Sequence, residues 1–133
     1  MFKVEHIGIA VKSLSSSVPL FEKLLNSQSY KTELVESEKV NTAFLWAGNT
    51  KIELLESIDA EVGMSRLLKK KGEGLHHIAF EVNDIYAEMK RLKNEGFTVL
   101  SEEPKKGADN KLICFLHPKD TSGVLIELCQ DQH

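Results

Sequence analysis

Apolar and polar residues alternate from Glu5 to Val11, with Ile7, Ile9 and Val11 on one face and His6, Gly8 and Ala10 on the other. That period of two predicts a strand. In the following stretch, "LSSSVPLFEKLLN" (Leu14 to Asn26), Leu20, Phe21, Leu24 and Leu25 recur at helical spacing behind serines able to cap a helix start. Pro19 is expected near the first turn, where its missing N–H would have had no helical partner. Three strands are predicted next, at Ser29 to Glu36, Asn41 to Trp46 and Lys51 to Glu56. Ala47-Gly48-Asn49-Thr50 makes a hairpin turn between the last two.

The same order then recurs. Leu75 to Val82 reads as a strand and Asp84 as a helix N-cap. Ile85 to Glu95 reads as a helix carrying Ile85, Met89 and Leu92 on one stripe and closed by Gly96. Strands are predicted at Phe97 to Ser101, Lys111 to Leu116 and Val124 to Gln130. Each half is therefore β-α-β-β-β, and Val62 to Lys71, ended by Gly72, is expected to be a connecting helix. "VEHIGIAV" aligns with "GLHHIAFEV", placing His6 on His77, and "KIELLE" aligns with "VLIELC", placing Glu53 on Glu127. An internal duplication of this kind organises the whole fold. It gives a single domain of 133 residues, with module 1 about 1–60, the connecting helix about 62–72 and module 2 about 74–133.

Composition narrows the function. A chain with 41% hydrophobic and 28% charged residues is of the globular, soluble class. No apolar run approaches the roughly 20 residues that span a bilayer, and the N-terminus lacks the basic-then-apolar order of a signal peptide. The expectation is a cytoplasmic protein without a membrane partner. A net charge of −3 argues against nucleic acid as a general partner. The two cysteines, Cys114 and Cys129, lie in strand-like segments without metal-type spacing and are expected to be buried thiols.

Glu53 and Glu127 are the chemically expensive residues. Each falls on the face of its strand opposite the apolar one, and a buried carboxylate is costly unless paired, hydrogen-bonded or bound to metal. If the duplicated halves pair about a pseudo-twofold axis, His6, Glu53, His77 and Glu127 converge. Two imidazoles and two carboxylates suit a divalent transition ion such as Co, Zn, Ni, Mn or Fe, leaving positions for substrate. Gly8, Ala10 and Ala79 would leave room above it. His76 faces the other way from His77, His117 falls in the turn "LHPKD", and His133 is terminal, so these three are read as structural or peripheral.

The paired "HIGIAV" and "HHIAFEV" strands, with "SEEPKKGADNK" and "FLHPKDTSGVLIEL", resemble the vicinal oxygen chelate superfamily, which includes glyoxalase I, extradiol dioxygenases and bleomycin-resistance proteins. Within it they look most like the methylmalonyl-CoA epimerases. The resemblance covers nearly the whole chain. It implies an α+β fold of two βαβββ modules forming a cupped eight-stranded mixed sheet, commonly in a homodimer. The metal-ligand positions fall on His6, Glu53, His77 and Glu127; some relatives have glutamine where this chain has Glu53. The implied activity interconverts (2R)- and (2S)-methylmalonyl-CoA by α-proton abstraction through a metal-stabilised enolate, with Glu127 as a catalytic acid/base. Lys105, Lys106, Lys111 and Lys119 are expected in loops near the second-half site, as partners for the phosphates of the acyl-CoA. Some epimerases also carry a glutamate on the third strand, and "NTAFLWA" has no acidic residue near Ala43. Two alternatives stand beside this reading. One is a glyoxalase I-type lyase, which usually has an arginine soon after the first histidine where this chain has only Lys12. The other is a non-catalytic drug-binding protein, which would need no metal. An iron dioxygenase would want two histidines and one carboxylate.

Overall fold

The structure, a computed structural model, describes residues 2–59 and 72–132. The expected connecting helix at Val62 to Lys71 and the terminal His133 lie outside the described residues. The N-terminal half contains β1 (Lys3–Ala10), α1 (Leu14–Leu25), β2 (Lys31–Val35), β3 (Val40–Ala47) and β4 (Thr50–Ser57). The C-terminal half contains β5 (Gly74–Glu81), α2 (Ile85–Asn94), β6 (Lys105–Lys106), β7 (Lys111–Leu116) and β8 (Ile126–Asp131). Two compact units result. One begins at His6 and takes in the rest of the N-terminal half; the other joins the chain from His77 onward to the first residues through Glu5.

The strand order is the same in both halves, β2-β3-β4-β1 in the first and β6-β7-β8-β5 in the second. β1 lies parallel to β4, and β5 parallel to β8. The other neighbours are antiparallel. The α+β class and the two βαβββ modules are as the sequence led one to expect. The hairpin between β3 and β4 closes with Ala47 opposite Thr50. Gly48 takes φ +63° there, the left-handed conformation that a two-residue hairpin loop requires.

In the N-terminal unit Val11, Leu45 and Leu54 form a core under Leu14, Val18, Phe21 and Leu25 of α1. This corrects the expected helix stripe, because Leu20 and Leu24 are 61% and 71% exposed. Two i,i+4 ladders overlap in "LFEKLL". Only the one through Phe21 and Leu25 continues back to apolar Val18 and Leu14, whereas the other runs back to Ser16. Ser13 holds the N-cap position without a side-chain cap, its hydroxyl pairing with that of Ser15 at 2.8 Å. Instead the Leu14 N–H donates to Glu56 Oε2 at 3.2 Å. Pro19 lies inside the helix beyond its first turn, so it costs α1 one backbone hydrogen bond.

In the C-terminal unit the expected stripe holds: Ile85, Met89 and Leu92 pack with Val82, Cys114, Leu116 and Leu128. The Ala87 N–H donates to Asp84 Oδ1 at 3.1 Å, and Gly96 closes the helix at φ +99°. The segment Phe97 to Ser101 is not a strand. Val99 makes an isolated bridge to Leu116, and Leu100 N–H donates to Phe115 O at 2.9 Å. The regular edge strand is the short β6, where Lys105 pairs with Ile113. The chain between Val99 and Lys105 is longer than the β7 segment it faces and contains Pro104, which has no N–H for the ladder, so it loops away. Residues from the start of the chain complete this unit: the Phe2 and Phe80 rings lie 6.2 Å apart, and Lys3 Nζ is 3.1 Å from Glu81 Oε2.

Cys114 and Cys129 are free and fully buried, as expected. Burial, reinforced by the nearby Glu127 carboxylate, raises the Cys114 thiol to about 11, and the same two causes push Cys129 higher still. At pH 8 the folded protein is expected to take up no iodoacetamide over an hour, and two equivalents once unfolded in urea. Intact-mass spectrometry reads both; prompt labelling of the folded chain would contradict the burial. Among the described residues, no helix is long and apolar enough to cross a membrane.

Candidate metal and substrate site

Strand register builds two matching side-chain rows. In the N-terminal unit Glu53 on β4 stands between Phe44 on β3 and Gly8 on β1. In the C-terminal unit Glu127 on β8 stands between Phe115 on β7 and Ala79 on β5. Each histidine precedes its row's small residue by two positions, so the period of two puts it on the same face as the carboxylate. His6 Nε2 lies 3.3 Å from Glu53 Oε1, and His77 Nε2 lies 3.3 Å from Glu127 Oε1. All four are buried, at 6%, 4%, 3% and 4% exposure respectively. The His77 and Phe115 rings meet edge to face at 5.9 Å.

The sequence therefore foretold each pair, though not which face of β1 is the more buried: His6, Gly8 and Ala10 are buried, and Ile7 and Ile9 only half-buried. The packing explains the pattern. A small residue on one side gives the imidazole and carboxylate room to meet, and a phenylalanine on the other keeps water off the carboxylate. Their mutual attraction is stronger for lacking that water. The donor set also fits a metal ion. Two ligands bound to one ion at about 2.1 Å stand about 3.0–3.4 Å apart for tetrahedral or octahedral angles, and both pairs are already at that separation.

The lysines expected to bind phosphate separate into two kinds. Lys105 and Lys106 form β6 and are exposed, and Lys119 is exposed in the short 3₁₀ turn Pro118–Asp120. Lys111 is neither in a loop nor exposed. It opens β7 at 5% exposure, with its ammonium held by Asp131 and lying 3.8 Å from both Glu5 and Glu81. Carboxylates of the fold itself surround that ammonium. His117 caps the 3₁₀ turn, its Nδ1 accepting the Lys119 N–H at 3.0 Å. The side chains of β3 on the Glu53 face are Thr42, Phe44 and Trp46, none of them acidic. Thr42 is fully buried, its hydroxyl donating to the Glu33 carbonyl at 3.4 Å.

Sequence reasoning passed over Lys51. It is only 7% exposed and lies in a row of its own, opposite His6 on one side and Trp46 on the other. Its position two residues before Glu53 was the available signal, since that spacing shares a strand face.

A family model described as the Glyoxalase/Bleomycin resistance protein/Dioxygenase superfamily matches residues 5–115. The human mitochondrial methylmalonyl-CoA epimerase is 38% identical over 96% of this chain and 73% of its own length. The ethylmalonyl-CoA/methylmalonyl-CoA epimerase of Cereibacter sphaeroides is also 38% identical, over 96% of this chain and 97% of its own. The solved structure of Streptomyces coelicolor methylmalonyl-CoA epimerase in complex with 2-nitronate-propionyl-CoA superposes with a TM-score of 0.93 at 34% identity, covering 98% of both chains. By sequence and by fold, the chain belongs to the Glyoxalase/Bleomycin resistance protein/Dioxygenase superfamily and is a homologue of its methylmalonyl-CoA epimerases.

Proposed function

We propose that this protein is a metal-dependent epimerase that interconverts (2R)- and (2S)-methylmalonyl-CoA, and that His6, Glu53, His77 and Glu127 together hold its divalent ion. The observation that carries the reading is the repeated geometry: the same histidine–glutamate pair, at the same 3.3 Å, from matching strand positions of each half. The epimerase relatives supply the substrate. A bound ion of the Co, Zn, Ni, Mn or Fe class would supply Lewis acidity toward the oxygens that flank the acidic α-carbon.

The chain's own residues do the rest. Glu127 takes one of two proton-transfer roles at the α-carbon, exchanging the proton on one face, and a second acid/base group serves the opposite face, which inverts the centre. Phe115, beside both Glu127 and His77, keeps bulk water from that carboxylate, so the charge that develops on the substrate is held in a medium of low dielectric. Exposed Lys105, Lys106 and Lys119 meet the phosphates of the acyl-CoA. Lys111 has no part in this. A homodimer, implied by the resemblance, and a cytoplasmic location complete the proposal.

The test is proton exchange at the α-carbon. Metal-reconstituted protein is incubated in deuterated water with methylmalonyl-CoA, with the glutathione–methylglyoxal adduct, or with methylmalonyl-CoA plus chelator. Deuterium in methylmalonyl-CoA alone, abolished by chelator, is the expected result. Turnover of the glutathione adduct alone would move the protein to the glyoxalase branch. Binding in chelator without exchange would make it a binder.

A further inference from the structure

We propose that Glu33 is the second acid/base group of the epimerisation, serving the face of the α-carbon that Glu127 does not. This rests on the epimerase reading and deepens it by naming a proton-transfer residue in the N-terminal unit.

Inversion at a carbon acid takes two groups, because one side chain reaches only one face of the carbon. Strand register puts Glu33 of β2 opposite Thr42 of β3, and Thr42 opposite Leu55 of β4, two residues past Glu53. The period of two therefore places Glu33 on the face that carries Glu53 and His6. Among the described residues in the strands of the N-terminal unit, Glu33 and Glu53 are the acidic side chains on that face. Glu53 is engaged with His6 at 3.3 Å and assigned to the ion, so proton transfer from this unit falls to Glu33.

Two contacts fix its position. The fully buried Thr42 donates its hydroxyl to the Glu33 carbonyl at 3.4 Å, which pins the backbone of an edge strand. The Lys31 ammonium, on the same face, lies 3.2 Å from Glu33 Oε1 and orients the carboxylate. Directly opposed side chains stand about 4.5–5.5 Å apart at Cβ, so the longer Glu33 can reach over the small Thr42 toward the middle of the sheet. Glu33 and Glu53 are two strands and one row apart, about 12 Å at the backbone, which accommodates an acyl group between their carboxylates.

In one direction the Glu127 carboxylate takes the α-proton and the electron pair of the broken C–H bond stays with the substrate. Protonated Glu33 then gives its proton to the opposite face, forming the new C–H bond. In the other direction the two roles exchange. The groups differ in shelter: the side chain of Glu33 is 30% exposed and that of Glu127 only 6%. A proton taken by Glu33 therefore trades with solvent while the substrate is still bound.

The test follows each epimer of methylmalonyl-CoA separately in deuterated water, with the full chain supplied with Co²⁺. Mass spectrometry reads deuterium and a stereospecific coupled assay reads configuration. The unaltered protein should invert both epimers and, for the one that Glu33 deprotonates, deuterate unreacted substrate ahead of inversion. Glu33→Gln should slow inversion in both directions by about 10²-fold or more and abolish that early exchange. Metal content and the calorimetric Kd for methylmalonyl-CoA should stay within about twofold, separating lost chemistry from lost binding. Glu33→Asp should restore part of the rate, and Glu33→Ala gives the same reading where the glutamine variant does not fold. Inversion by a folded Gln or Ala variant within about threefold of the unaltered rate overturns the inference. Early exchange that survives the substitution also overturns it, as does a loss of rate matched by weakened binding, which would make Glu33 a support of the fold. No inversion by the unaltered protein would overturn the epimerase reading itself, and this inference with it.

Discussion

Replacing Glu127 by glutamine is expected to lower metal-dependent α-deuterium exchange on the face it serves by about 10²–10⁴-fold, the range a positioned acid/base contributes. Glutamine keeps the size of the side chain and one acceptor oxygen, so the row Phe115–Glu127–Ala79 stays packed and the fold is retained. What is lost is the ability to take a proton. The matching Glu53→Gln change should cost less than about tenfold, because the resemblance allows glutamine at that position as a ligand. The two variants thus separate proton transfer from ion binding, which metal analysis of each purified variant confirms independently. Full exchange by a folded, metal-loaded Glu127→Gln protein would remove Glu127 from the acid/base role. Equal losses in both variants would mean that the two halves contribute alike.

The second large effect concerns stability, away from the site. Lys111→Met is expected to cost about 3–5 kcal/mol, as when one partner is removed from a buried ion pair. Glu5, buried beside it, would keep its charge without the ammonium that offsets it. The side chains of Glu81 and Asp131 are 27% and 49% exposed and can turn to solvent, so the cost falls mainly on Glu5. For a chain of this length that corresponds to a fall in Tm of roughly 10–20 °C. Pairing the change with Glu5→Gln should recover part of the loss, since the orphaned charge is then gone. A Tm within two or three degrees of the unaltered protein would show that the cluster is a surface ion network of little consequence, despite its burial.

What could be read from the sequence had local or repeated signals. The helix at Ile85–Asn94 declared itself through Asp84 at its start, Gly96 past its end and one unambiguous stripe between. His6, His77, Glu53 and Glu127 were legible because the strand period fixes their faces and the duplication states the pattern twice. The face of α1 was misread, since Leu20–Leu24 and Phe21–Leu25 are equally good ladders within "LFEKLL", and the residues that separate them, Leu14 and Val18, lie further back in the helix. The weak edge at Phe97 to Ser101 was over-read because β-rich composition does not show that Pro104 must leave the ladder. The buried lysines were hidden for a deeper reason. Lysine is a surface residue by type, and what makes burial tolerable, Glu5 and Asp131 for Lys111, comes from opposite ends of the chain.

That last placement bears on synthesis. Phe2, Lys3 and Glu5 are made before the unit that begins at His6, yet their partners Phe80, Glu81 and Lys111 are made only after it. The N-terminal unit can collapse early, as vectorial folding favours. The C-terminal unit must wait for its own strands while its first few residues are already translated. A gene split between the halves would therefore divide the second unit from its own beginning. Any fragment or circular permutation meant to fold by itself has to carry the first five residues along with the C-terminal half.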